Sequence, residues 1–239
     1  MKCCDLTLAS PVENLACDEV LLDLSEAGSW EATLRFWEPS HYFVVVGYGN
    51  HVDVEVNRDF CHRHDIPVLR RFSGGGAVLQ GPGCLNYSVI LPIASAEELS
   101  GIAGTNNYIL RRHRQALEAL LRAPVEKQGH TDLTVGGLKF SGNAQRRRKD
   151  YLLFHGSFLL HVDIGLIEKA LHLPSHQPEY RLNRSHCDFL MNLKIPAQLL
   201  KTALIKAWGA DEPVERVPLD EITLLARRKY CQDSWNYKL

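Results

Sequence analysis

Arg70-Arg71-Phe72-Ser73-Gly74-Gly75-Gly76-Ala77-Val78-Leu79 is a short apolar strand broken by three consecutive glycines. Three glycines in a row are poor in a helix and poor in a strand. They suit a place where backbone lies directly against a ligand. Bare N–H groups in such a loop cradle phosphate oxygens, and arginines neutralise them. A second segment, Gly136-Gly137-Leu138-Lys139-Phe140-Ser141-Gly142-Asn143-Ala144-Gln145, holds a lysine between glycines. A solvated surface lysine needs no such flanks. Together the two stretches point to a site for a nucleotide or an acyl phosphate. Alone, Gly74–Gly76 reads equally as a tight turn, and Arg70 and Arg71 as surface charges. Neither GxGxxG nor GxxxxGK[ST] occurs.

Strand signals surround the glycine loop. Pro67 to Phe72 enters it, Leu85 to Leu91 alternates after it, and Tyr42 to Val46 is a continuous apolar run before it. Ala32 to Phe36 alternates like a further strand. Short strands are expected over Pro124–Lys127, Leu133–Val135 and Leu138–Ser141. A long one is expected over Leu152–Val162, with Phe154, Gly156, Phe158, Leu160 and Val162 on one face. Helices are expected from Pro11 to about Gly28, from Asn106 to Arg122, and at about 164–172, 196–208 and 219–229. Regular strand–helix alternation is missing. The expected fold is therefore a single α+β domain with mixed, mainly antiparallel sheets packed by helices.

At 239 residues the chain can bury a sizeable core, and 45% hydrophobic with 23% charged residues is the composition of an ordinary globular protein. A formal net charge of −1 argues against nucleic acid as a general partner. No apolar run reaches the roughly 20 residues of a membrane span, and the N-terminus lacks a signal-peptide core. Membrane is therefore not an expected partner, and a cytoplasmic location follows as the default. Seven scattered cysteines without a CxxC pair suit free thiols rather than a zinc ribbon. Cys61-His62-Arg63-His64 has no second ligand pair at metal-binding spacing and reads as a polar helix end.

Considered jointly, the motifs resemble the lipoate-protein ligase A family, within the fold family shared with biotin ligases and lipoyl or octanoyl transferases. Arg70 to Ser88 is similar to that family's RRxSGGGAVxHDxGNxNxS pattern. Asp132 to Arg146 is similar to DLxxxGxKxSGxAxR, and His155-Gly156-Ser157-Phe158-Leu159-Leu160 to its HGTLL strand. Ser234-Trp235-Asn236 resembles the close of the family's catalytic domain. The resemblance spans residues 1–239 as one catalytic domain, with no C-terminal accessory domain. Gln80-Gly81 stands where the family has His-Asp, and Cys84 where it has Asn. Those positions line the family's pocket, so they bear on acyl-chain preference. Gly47-Tyr48-Gly49-Asn50-His51 departs from the family's G-R-x-Q-N.

The resemblance implies ATP-dependent activation of lipoate or octanoate to an acyl-adenylate, then transfer to a lysine of a lipoyl carrier domain. The carrier would be an E2 subunit or a glycine-cleavage H-like protein. A separate small accessory ligase subunit is a further partner it allows. The implied cofactors are ATP and Mg²⁺, with lipoate as substrate. Lys139 would be catalytic, offsetting charge on phosphate and carbonyl oxygens. Arg71, Ser73, Gly74, Gly75, Gly76, Ala77, Val78, Leu79, Asn86, Asp132, Gly142 and Ala144 would bind nucleotide and acyl group. Asp132 is also the candidate Mg²⁺ ligand. A rival is an acyl transferase of the same fold, which needs a cysteine nucleophile. Cys84 is the cysteine placed for that role; its other reading is a small wall residue. A third reading is a non-catalytic lipoate or adenylate sensor, against which the intact Lys139, Arg71 and glycine set argues. The basic loop GRGRxGR of biotin ligases is absent. Arg146-Arg147-Arg148-Lys149 reads as a solvated basic loop, or as a contact for an acidic carrier domain. His155 reads as a satisfied strand histidine.

Overall fold

Ser10 opens the first helix with a capping box: its hydroxyl accepts the Glu13 N–H, and the Glu13 carboxylate accepts the Ser10 N–H. Pro11 follows at a position that needs no N–H donor. In the computed structural model, which describes residues 1–239, the chain runs β1 (Lys2–Asp5), α1 (Pro11–Glu26), β2 (Thr33–Trp37), β3 (Phe43–Val46), α2 (Val52–Glu55), α3 (Arg58–Arg63), β4 (Val68–Arg70), β5 (Val78–Gln80) and β6 (Cys84–Pro92). It continues through α4 (Ile102–Leu121), β7 (Glu126–Gln128), β8 (Asp132–Val135), β9 (Leu138–Arg147), β10 (Tyr151–Leu159), α5 (Ile164–Ala170), α6 (His186–Phe189), α7 (Ala197–Trp208), β11 (Glu212–Pro213), α8 (Leu219–Leu225) and α9 (Asp233–Asn236).

Eight strands form one sheet in the order β11-β1-β2-β6-β10-β9-β8-β7. β1 pairs parallel with β2 and β11; every other pair in this sheet is antiparallel. A second sheet, β4-β3-β5, carries the glycine loop between its outer strands. The α+β class with mixed, mainly antiparallel sheets is as expected.

The period of two divides the large sheet into unlike faces. On one face Leu34, Phe36, Tyr87, Val89, Phe140, Phe154 and Phe158 pack against α4 and α7 in the largest core cluster. On the other face the strand register lays down two polar rows. Arg35, Ser88, His155 and Ala144 are neighbours across four strands, and so are Trp37, Asn86, Ser157 and Gly142. This polar face looks toward α1 and the small sheet.

Several boundaries differ from the sequence reading. The long strand ends at Leu159, so Val162 packs in another cluster, beside α5. α4 starts four residues earlier than expected, at Ile102. The last helical stretch divides into α8 and a π-turn over Ala226–Tyr230. The basic run is no free loop. Arg147 extends β9 and donates to the Leu99 carbonyl (2.7 Å) and the Thr105 hydroxyl (3.0 Å), while Arg148 pairs with Asp23 (2.7 Å). These arginines brace α4 and α1 to the sheet edge. The Cys61–His64 stretch is a helix end, with the Cys61 thiol buried against the Ala170 carbonyl.

Candidate active site

Adjacent residues on an extended chain point to opposite sides, and that separates the two arginines. Arg70 turns away from the loop. Its guanidinium donates to the carbonyls of Gly47 (2.9 Å), Asn50 (2.7 Å), Trp235 (3.2 Å) and Asn236 (3.2 Å). It ties the Gly47 turn to α9 and is not placed to neutralise a phosphate. Arg71 turns under the loop. It donates to the carbonyls of Gly74 (2.6 Å), Gly76 (2.9 Å) and Val45 (3.3 Å), and to the Ser73 hydroxyl (3.2 Å). The loop's carbonyls therefore gather inward around a guanidinium. No protein acceptor takes the N–H of Gly74, Gly75, Gly76 or Ala77. Gly75 has φ +92°, a left-handed conformation that permits this inversion. The result is an anion nest backed by a buried cation. Arg71 has no carboxylate partner, and burial lowers it to about 10, so it stays charged at neutral pH.

The lysine segment is a β-hairpin. Gly136 (φ +57°) and Gly137 (φ +76°) supply the two left-handed positions of its tight turn. Lys139 Nζ lies 2.8 Å from Asp132 Oδ1, and the Tyr180 hydroxyl donates to Asp132 Oδ2 at 2.7 Å. A Cβ on Gly142 would stand 2.9 Å from Lys139 Nζ, so the missing side chain lets the lysine lie flat on β9. A Cβ on Gly75 would come within 3.9 Å of the Ala144 methyl. The glycine loop thus passes directly over β9, and the two sequence motifs share one site.

Between them opens a cleft of about 790 Å³. It is lined by Arg71, the chain from Gly74 to Gln80, Asn86, Asp132, Lys139, Gly142 and Ala144. Leu15, Trp37, Val45 and Val78 add an apolar wall suited to an acyl chain. All the expected site residues except Ser73 line the cleft. Ser73 is buried behind the loop, where its Oγ lies 2.6 Å from His155 Nε2. His155 Nδ1 reaches Asp18 Oδ2 at 3.2 Å, and Asp18 Oδ1 pairs with buried Arg35 at 2.7 Å. Ser73 Oγ accepts the Arg71 Nε–H and shares a second hydrogen bond with His155, whose other ring nitrogen faces Asp18. This relay ties the loop to β10, α1 and β2. Burial pushes the Asp18 carboxyl up, but Arg35 and His155 together overcome that and hold it below the usual range.

The family-pocket positions divide. Gln80 lines the cleft, whereas Gly81 packs beneath the Tyr42 ring and Cys84 is 1% exposed. The Cys84 thiol contacts the Leu79 carbonyl at 4.0 Å, and burial pushes it up to about 12. None of the seven cysteines lines the cleft. Sequence reading missed Asp18, Trp37, Ser157, Tyr180 and Arg181. One signal was present: Asp18 is a carboxylate in the apolar middle of α1. Ser157 lies in the HGTLL-like strand but was not singled out there, and Trp37, Tyr180 and Arg181 come from segments without a motif.

Residues 10–207 match the family model of the lipoyl protein ligase A/B catalytic domain. The chain is 29% identical over 266 residues to octanoyltransferase LipM of Geobacillus kaustophilus, covering 95% of this chain and 94% of that one. In fold it resembles a lipoate-protein ligase A bound with ATP (TM-score 0.83, 23% identity, 99% of each chain). It also resembles a bi-partite lipoate protein ligase of Thermoplasma acidophilum, solved as part of a lipoylation system with an E2 lipoyl domain (TM-score 0.81, 22% identity, 99% of this chain and 96% of that one). Match, fold and motif placement agree, and the chain belongs to the lipoyl protein ligase A/B catalytic domain family.

Proposed function

We propose that the chain activates lipoate or octanoate with ATP to the acyl-adenylate and transfers the acyl group to a lysine of a lipoyl carrier domain. The observation that carries this reading is a cleft joining an anion nest to Lys139 with no thiol on its walls. In the first step the carboxylate attacks the α-phosphorus, and pyrophosphate leaves. The free amides of Gly74 to Ala77, with Arg71 behind them, face the phosphate oxygens. In the second step the carrier amine attacks the acyl carbonyl and AMP leaves. Lys139 polarises that carbonyl. The apolar wall of Leu15, Trp37 and Val45 holds the acyl chain and keeps water from the mixed anhydride. Catalysis is positioning and electrostatics, without a covalent enzyme intermediate.

A resident Mg²⁺ does not fit Asp132. Both its oxygens are engaged, and no group of three potential ligand side chains converges in the molecule. Magnesium is therefore assigned to the nucleotide as delivered.

The test is to mix the chain with lipoate, ATP and a lipoyl domain, following pyrophosphate release and the mass of the carrier. A separate small accessory chain, as in a bi-partite ligase, is the partner to add if only preformed lipoyl-adenylate is used. The similarity to an octanoyltransferase favours a second reading, transfer from an acyl carrier through a cysteine. An acyl adduct on the chain, formed without ATP, would establish that reading instead.

A further inference from the structure

Three cations line the cleft: Arg71, Lys139 and Arg181. Two are spoken for. Arg71 is spent on the carbonyls of its own loop, and Lys139 rests on Asp132. Arg181 is different. It is 4% exposed, and only its Nε–H is used, on the Arg184 carbonyl at 3.1 Å. Nη2 is buried without a partner, and no carboxylate forms an ion pair with the guanidinium. The nearby Glu168 carboxylate instead accepts the N–H groups of His186 (2.6 Å) and Cys187 (3.2 Å). Burial lowers the Arg181 guanidinium below its ordinary value. Glu168 and Asp132 act on it from a distance, but a buried cation with no carboxylate in contact is costly unless an anion completes it.

The surrounding strap holds Arg181 in place. Its guanidinium packs 4.5 Å from the Phe189 ring centre. Leu182 and Asn183 adopt successive left-handed conformations, at φ +53° and +56°. Arg184 donates to the Gly137 carbonyl at 3.2 Å, and the neighbouring Tyr180 reaches Asp132. The strap is thereby fastened to the first strand and the turn of the lysine hairpin. Strain of this kind persists where surrounding contacts enforce it.

We propose that Arg181 and Lys139 form the subsite for the β- and γ-phosphates of ATP, that is, for the leaving pyrophosphate. This rests on the reading of the cleft as adenylate-forming. As the carboxylate oxygen bonds to the α-phosphorus, the bond from that phosphorus to the bridging oxygen breaks. The bridging oxygen keeps the electron pair and leaves with the β-phosphorus as pyrophosphate. A planar guanidinium fork matches two oxygens of such a group, and Lys139 adds a point charge beside it. The second half-reaction involves no pyrophosphate, so Arg181 is a spectator there.

That asymmetry is the test. The 239-residue chain and its Arg181→Gln and Arg181→Lys variants are compared by thermal melting and by calorimetric titration with inorganic pyrophosphate. Adenylation from ATP and acyl transfer from preformed lipoyl-adenylate are timed separately. Arg181→Gln is expected to weaken pyrophosphate binding and slow adenylation by about 30-fold or more, as for removal of one partner of a buried charge contact. Transfer from preformed adenylate is slowed far less. Arg181→Lys recovers part of the pyrophosphate affinity. Equal losses in both half-reactions, or undiminished pyrophosphate binding by Arg181→Gln, overturn the proposal. Wild-type chain that binds pyrophosphate yet never releases it from ATP, even with an accessory chain, refutes the ligase reading and leaves Arg181 to be judged by the titration.

Discussion

Lys139→Ala removes one positive charge from the cleft while leaving its walls in place. The side chain is 25% exposed, so its loss opens no cavity. A full charge about 4 Å from a developing phosphate or carbonyl charge contributes about 4 kcal/mol at an effective dielectric constant near 20. Asp132 stands 2.8 Å behind Nζ. Asp132, about 7 Å from the same charge if it stays there, opposes the effect by about 2.4 kcal/mol, but it does so in wild type and variant alike. Deleting the lysine alone therefore forfeits the full term, roughly 10³-fold in rate. We expect a loss of at least about 10²-fold, in the range found when one oxyanion-stabilising donor is removed. Carrier acylation by mass spectrometry gives the rate, and a thermal melt confirms the fold. A folded variant that loses less than about 20-fold would show that Nζ stands too far from the reacting oxygens to stabilise them, which refutes its role as the electrophilic partner.

Gly75→Val forces a β-branched residue to φ +92° and puts a Cβ 2.8 Å from Arg71 Nη2. Calorimetry should show ATP and lipoyl-adenylate binding lost; full affinity would reduce the glycine run to a turn. Cys84→Ser should leave turnover per folded molecule unchanged while lowering stability by about 1–3 kcal/mol, because a hydroxyl replaces a thiol in a dry site. Abolished turnover in a folded protein would instead favour a thiol transferase. Asp18→Ala strands Arg35 without its counter-charge and should cost about 3–5 kcal/mol, a fall of about 6–20 °C in melting temperature for a chain of this size. Asp18 is held below its unfolded value, so its stabilisation is complete above the usual carboxylate pKa of about 4 and drains away as pH falls through the folded value. The stability gap between wild type and Asp18→Asn should therefore narrow in acid; a gap constant down to pH 2 would disprove the linkage.

The glycine loop and the lysine hairpin were legible because each needs a backbone that few residues allow. Gly75, Gly136 and Gly137 all have positive φ, and Gly142 makes room for Lys139. Strand alternation was enough for β6 and β10, hence for the class of fold. It could not separate Arg70 from Arg71, which are identical in type; their roles follow from which side of β4 each one faces. Ser73 was placed with its glycine neighbours, although its hydroxyl turns inward to His155. The basic run looked solvated because its partners, Leu99, Thr105 and Asp23, lie far away in the chain. Arg181 had no signal of its own. What distinguishes it is an absent partner, a property of packing rather than of spacing.

The relay from Ser73 through His155 to Asp18 also bears on the order in which the protein assembles. His155 joins Ser73 across 82 positions and Asp18 across 137. Closing loops of that length is entropically costly, and topologies built on such pairings fold slowly. The glycine nest cannot be locked until β10 is synthesised and docked between β6 and β9. A nascent or partly unfolded chain would therefore lack the formed cleft. On the ligase reading proposed above, acyl-adenylate would form only on fully folded molecules.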